Sequence, residues 1–426
     1  MGLIVGIHGR EVLDSRGTPA VEAEVWLDSG VTARAIVPSG ASTGGFGAVG
    51  LRDGGDRYMG RGVLDAVRNV NDVLSPLLIG TEASDQFLVD GAMIDEDGRA
   101  DKGRLGANAI LAVSMAVARA AALEHDRPLW AWIGGMGPYS LPLPMMNVID
   151  GGVHAAVGLD IQEFMIVPHG ASEFSEALRM GVEICHHLKG ILRAGGHSTA
   201  VGDEGGFAPR LGSSRQALDL LVEAIVAAGY RPGDDVGLAL GVAATELREG
   251  DRYRLRKEAR SLSSSQLIDY YDELCRDYPL VSIEDGLAEE DWEGWAVATE
   301  RLGSKVQLVG GDLFVTHPGR FRRGIDEGVA NAVRVRPDQI GTVTETLQVI
   351  DMARRNGYGA VISHRSGETE DAFIADLAVG TGAGQIKAGA PARTDRVAKY
   401  NQLLRIAEEL GGRAPFAGRT PFSRRS

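Results

Sequence analysis

Only two cysteines occur in 426 residues, Cys185 and Cys275. Both fall inside helical patterns without metal-type spacing, so they exclude a disulfide framework and read as reduced thiols of a cytoplasmic protein. Basic residues are also in deficit: the formal net charge is -14 and the pI is about 5.2. That argues against nucleic acid as a partner, because phosphate contacts over a broad face need clustered Lys and Arg. A small anionic ligand stays compatible, since a pocket can be locally positive in an acidic protein. No basic start followed by an apolar run opens the chain, so no signal peptide is expected. Gly6 stands where a myristoylation motif after Gly2 needs Ser or Thr. No apolar run approaches membrane-spanning length, so no membrane partner is expected. One more absence matters most. Two runs that read as buried strands, 236–242 and 306–314, carry Gly241 and Gly311 where a carboxylate would serve chemistry.

What is present is ordinary for a globular chain: 44% hydrophobic and 24% charged residues. The length calls for two domains, divided near Gly134-Gly-Met-Gly-Pro138 into residues 1–137 and 138–426. In the first, Val21–Leu27 alternates like a half-buried strand and Thr32–Pro38 follows as its hairpin partner. Ala107–Glu124 is small and aliphatic throughout and reads as a buried helix. In the second, eight short apolar runs alternate with helical patterns. They are 143–149, 161–168, 236–242, 280–285, 306–314, 332–336, 360–364 and 385–387. Eight strands separated by helices predict an α/β fold with a closed β/α barrel, whose chemistry gathers at the C-terminal strand ends. Gln162-Glu163, Glu284-Asp285, Asp312, Arg336, His364-Arg365-Ser366 and Lys387 all fall there.

Several local motifs are weaker. Gly45-Phe-Gly47-Ala-Val-Gly50 matches a dinucleotide fingerprint in spacing but lacks the flanking strand and helix, and Phe46 stands where a phosphate loop needs Lys. This segment reads as a loop, or as a lid using Ser39, Ser42 and Thr43. Gly202-Asp203-Glu204-Gly205 alone is a turn; with Gln162-Glu163 it makes a carboxylate cluster for proton transfer. Ser282-Ile-Glu284-Asp285 ends a strand in hard oxygen ligands suited to Mg²⁺. Arg365 offers a fork for carboxylate or phosphate and Ser366 a hydroxyl, while Thr369, Glu370 and Asp371 read as a capped helix start. His186-His187 reads as structural, and Asp251–Arg260 as a solvated hairpin.

In order along the chain, these segments resemble enolase, the lyase that dehydrates 2-phosphoglycerate. The carriers are Gly9–Gly17, Pro38–Gly44, Gln162–Met165, Val201–Gly206, Ser282–Gly286, Ser363–Asp371 and Arg396–Ile406. The resemblance implies an enolase-type barrel, partly antiparallel at its start, capped by an α+β N-terminal domain. It also implies a homodimer or a higher homo-oligomer, and Mg²⁺ as cofactor. By that resemblance, Glu204 is the proton-donating acid with Glu163 beside it. His154, Gln162, His364, Arg365, Ser366 and Lys387 contact substrate, and Ser39 helps to hold a second Mg²⁺.

Three decisive positions depart from the family. Of three carboxylates for the first Mg²⁺ only Glu284 remains; Gly241 and Gly311 replace the others, and Asp312 is expected to point elsewhere. The family's basic Lys is Arg336, and lid acids have become Gly47 and Gly50. Arg stays protonated, a general base is worth roughly 10²–10⁴ in rate, and lost metal stabilisation costs more. Metal binding is therefore expected to be weakened. The glycines and Arg336 predict a larger, more positive pocket. That suits a phosphorylated or phosphonylated three-carbon acid, as in the enolase-like carboxyphosphonoenolpyruvate synthases. A non-catalytic binding protein and a slow true enolase are the alternatives.

Overall fold

The computed structural model describes residues 2–39, 45–155 and 159–422. Its first part is a three-stranded antiparallel sheet of β1 (Ile4–Leu13), β2 (Pro19–Leu27) and β3 (Thr32–Val37) in that order. The β2–β3 hairpin has the expected place; β1 is an additional strand. Val21, Ala23, Val25 and Ala35 have no exposed surface, and they pack with the helix Ala107–Glu124. That helix is apolar and long enough to pass as a membrane span, with a mean hydropathy of 1.4, contrary to the expectation that no run approaches that length. Its burial, 78% of the window, shows where its apolar surface goes: into the core between sheet and barrel.

The second part is a closed barrel of β4 (Leu143–Asp150), β5 (Glu163–Val167), β6 (Gly237–Gly241), β7 (Leu280–Glu284), β8 (Gln307–Gly310), β9 (Ala332–Val335), β10 (Gly359–Ser363) and β11 (Gly384–Lys387). β5 runs antiparallel to both β4 and β6, and the other pairs are parallel. The expected run 306–314 is a strand only as far as Gly310, because Asp312–Phe314 turns out of the barrel.

Period-two alternation sorts the barrel interior into layers. Leu143, Met145, Met165, Val167, Ala239, Val309, Ala332 and Val361 fill it at one end. Above them Gln307 Nε2 donates to Gln385 Oε1 at 3.0 Å and to Ser282 Oγ at 3.2 Å. One further step along the same faces lie Gly241, Glu284, Gly311, Arg334 and Lys387. The chemistry-bearing residues thus sit on rigid strand ends over a filled core.

Charged contacts dock the two parts. Arg119, on the long helix, makes a two-pronged contact with Asp371 at 2.6 and 2.7 Å, and Asp371 also accepts the Ile36 amide. Asp371 lies outside the first helical turn in which it was expected, yet its Oδ1 accepts the amide of Phe373, the first helical residue, at 2.8 Å. The helix Phe373–Thr381 starts two residues later with Ala372 at its cap, and Thr369 Oγ1 accepts the Asp371 amide instead. Removing one partner of a buried pair strands the other charge. Arg119→Leu is expected to destabilise the protein by ~3 kcal/mol, read from urea unfolding.

Candidate functional site

The C-terminal strand ends enclose a chamber of about 70 Å³ lined by His154, Gln162, Glu163, Glu204, Gly241, Glu284, Asp285, Asp312, Arg334, Arg336, Arg365 and Ser366, among others. Most residues expected from the sequence are therefore brought together. Lys387 and His364 lie just beneath, fully buried. Ser39 is not among the lining residues: its hydroxyl donates to Asp14, and its carbonyl accepts from Arg16 at 2.9 Å. Ser42 and Thr43 lie outside the described residues. A larger open groove of about 680 Å³, lined by His186, His187, Leu220 and Glu223, lies on the outer helices and carries none of this chemistry.

One half of the chamber is built for proton handling. Lys387 Nζ contacts Glu163 and lies 2.9 Å from Glu284 Oε1. Burial, reinforced by Glu204, pushes the Glu163 carboxyl up to about 7 despite Lys387. Lys387 is itself held above the ordinary lysine range: burial opposes its charge, and Glu163 and Glu284 outweigh burial. Asp150 is driven well above the carboxylate range by burial and by Glu204, so it is neutral. It forms a buried cluster with His154 and Glu204.

Glu204 behaves differently. Burial opposes its ionisation, but the imidazoles of His364 and His154 hold it well below the ordinary range. His364 Nε2 faces its Oε2 at 3.3 Å, and the Asn147 amide donates to the same oxygen at 3.2 Å. Arg396, fully buried, donates to His364 Nδ1 and to the carbonyls of Arg365, Ser366 and Asp203. Burial and Arg396 push His364 down to about 3. His364 and Glu204 thus form a buried facing pair, each setting the protonation of the other. The two buried carboxyls are thus pushed apart, Glu204 toward its ionised form and Glu163 toward its protonated one.

The other half is dominated by a residue the sequence reading passed over. Arg334 Nη1 donates to Glu284 Oε1 at 2.6 Å and to Asp285 Oδ2 at 3.1 Å, and Nη2 donates to Asp312 Oδ1 at 2.6 Å. Asp312 therefore points into the chamber, not elsewhere. Asp285, in the left-handed backbone region at φ 46°, also accepts the amides of Gly311 and Asp312 at 2.8 and 2.9 Å. Burial and Asp312 push Asp285 up to about 7. Glu284 is held down at about 2: burial opposes ionisation, and Lys387 and Arg334 overcome it. The missed signal was an arginine inside an apolar strand two positions before Arg336, hence on the same face.

Arg336 Nε donates to the His364 carbonyl at 2.9 Å. Burial, Arg334 and Arg365 lower its pKa to about 10, which leaves it a cation at neutral pH. Arg365 Nε contacts Asp338 at 3.1 Å.

The glycines do not enlarge the chamber as the sequence implied. A Cβ on Gly311 would sit 2.4 Å from Arg334 Cζ, and one on Gly241 would sit 2.3 Å from Glu163 Oε2. Neighbouring side chains already hold both spaces. The residues also do not fit the Mg²⁺ site expected here. Two of its three acids are glycine, and the third, Glu284, is engaged by Arg334 and Lys387. Hard divalent ions need carboxylate oxygens free to coordinate.

Two family models cover the chain. Enolase, N-terminal domain, matches residues 4–133, and Enolase, C-terminal TIM barrel domain, matches residues 138–425. With the barrel topology and the order of the site residues, these matches establish that the chain belongs to the enolase family.

Proposed function

We propose that the protein is an enolase-fold enzyme that moves a proton on a small phosphorylated or phosphonylated three-carbon acid, and that it is not an efficient glycolytic enolase. The observation that carries this reading is the pair of buried guanidinium groups, Arg334 and Arg336. They stand where 2-phosphoglycerate dehydration calls for a divalent ion and an amine base. Arg336, Arg365, Ser366, Gln162 and His154 present cationic and neutral hydrogen-bonding groups to an anionic ligand. Glu163, with its pKa near 7, accepts or returns the proton. Arg336 and Lys387 lower the energy of the negative charge that develops on the substrate. Carboxyphosphonoenolpyruvate formation is a specific instance of this substrate class. The test is ³¹P NMR of the purified protein with 2-phosphoglycerate, phosphoenolpyruvate or phosphoenolpyruvate plus a phosphonoformyl donor. Turnover is expected with phosphoenolpyruvate plus the phosphonoformyl donor. Rapid water loss from 2-phosphoglycerate would overturn the reading.

A second reading is a binding protein without turnover. It is favoured by the engagement of Glu284, Asp285 and Asp312 with Arg334, which takes up one oxygen of each carboxylate. Calorimetric binding of phosphoenolpyruvate with no product in any NMR assay would select it.

A further inference from the structure

We propose that the Arg334 guanidinium is a built-in cation that takes the place of the enolase-type divalent ion, so that the chamber neither needs nor binds Mg²⁺. Three observations converge. The first is position. Arg334 rises from β9 on the interior face, and its Cζ lies 2.4 Å from where a Cβ of residue 311 would stand. The guanidinium therefore fills the space of the third ligand's side chain; glycine at 311 and arginine at 334 form one steric unit.

The second is ligation. The two terminal nitrogens meet oxygens of Glu284, Asp285 and Asp312, carried by the ends of β7 and β8 and the turns after them. These carboxylates converge on one cationic centre, as they would on an ion, but through N–H···O bonds of fixed direction. The Arg334 side chain is 5% exposed, so water does not compete strongly. The third is charge. A singly charged group suffices because glycine stands at 241 and 311, and Lys387 adds a second cation on Glu284 Oε1, the oxygen that Arg334 also holds, at 2.9 Å.

The substitution has a chemical consequence. A bound metal ion exchanges waters for substrate oxygens, whereas a guanidinium carries no exchangeable ligands and holds its three carboxylates through N–H groups of fixed direction. Substrate anions must then be held by Arg336 and Arg365.

Metal titration of the full chain tests this without any turnover, so its outcome is separable from the substrate class proposed above. After EDTA treatment, about 10 mM MgCl₂ is expected to change neither the melting temperature nor the heat in a calorimetric titration. The double variant Arg334→Met with Gly311→Asp restores a carboxylate and vacates the cation. It is expected to bind Mg²⁺ at least ~100-fold more tightly than the wild type and to be stabilised by it. Saturable Mg²⁺ binding by the wild-type protein that disappears in Glu284→Gln would overturn the proposal, whatever the variants do. A folded double variant indifferent to Mg²⁺ would overturn it as well.

Discussion

Replacing Arg334 by methionine is expected to destabilise the protein by ~3–5 kcal/mol, because it strands buried carboxylates at Glu284 and Asp312 that the guanidinium now compensates. Methionine roughly preserves the volume, so the loss reports charge more than packing. The same geometry makes an opposite-looking substitution harmful. Gly311→Asp restores an acid common to the family, yet its Cβ would collide with Arg334 Cζ and with Asp285 Oδ2, each 2.4 Å away. Such overpacking costs ~1–3 kcal/mol. Combining the two changes relieves the contact with Arg334 Cζ, because a methionine chain ends short of the guanidinium, while the contact with Asp285 Oδ2 remains. The double variant is therefore expected to be more stable than the sum of the single effects by ~2 kcal/mol or more, the coupling expected of residues in contact. Urea unfolding of the four proteins in EDTA checks this. Additive effects would mean that Gly311 and Arg334 do not share the space.

Glu163→Gln is expected to reduce kcat/KM by ~10²–10⁴ on whichever substrate the NMR panel identifies, with little change in shape. The direction of the pH dependence follows from the raised pKa. A proton acceptor works when ionised, so wild-type kcat/KM should rise with pH through about 7. The amide variant should lack that limb. Stability carries the same group in the other direction. The folded protein holds the Glu163 proton more tightly than the unfolded chain, whose ordinary value is 4.5. That contribution is complete below about 4.5 and is lost as pH rises through about 7. Glu163→Gln should therefore gain on the wild type in melting temperature between pH 5 and pH 8. An unchanged pH profile for kcat/KM would assign the proton transfer to another group.

Much of this was legible in the chain. The eight barrel strands were readable because each buried run is bounded by turn residues and most are followed by a helix. The acids and bases stood out because Glu284, Arg336, His364 and Lys387 stand at the C-terminal ends of their strands and Glu163 at the start of antiparallel β5, where stability gives no reason for charge. β1 escaped because its interrupted apolar pattern, with Gly6 and Gly9 inside it, blurs the alternation. The Thr369–Asp371 segment reads as a helix start; the helix begins at Phe373, whose amide Asp371 accepts while it also pairs with Arg119, 252 residues away.

The roles were less legible than the positions. Glu163 and Glu204 are equivalent as letters, and only packing tells them apart: Glu204 faces His364 and accepts the Asn147 amide, while Glu163 faces burial and another carboxylate. The glycines at 241 and 311 were visible in the sequence. What fills their places was not. Side-chain occupancy depends on where neighbouring strands bring their residues, and β9 brings Arg334 across to Glu284 and Asp285 beyond the end of β7. The chain by itself determined the family, the barrel and the glycines at 241 and 311. The tertiary structure alone decided that the Arg334 guanidinium reaches Glu284, Asp285 and Asp312 beside Gly311, because charge pairing across strands is set by register and barrel closure, which no local pattern encodes.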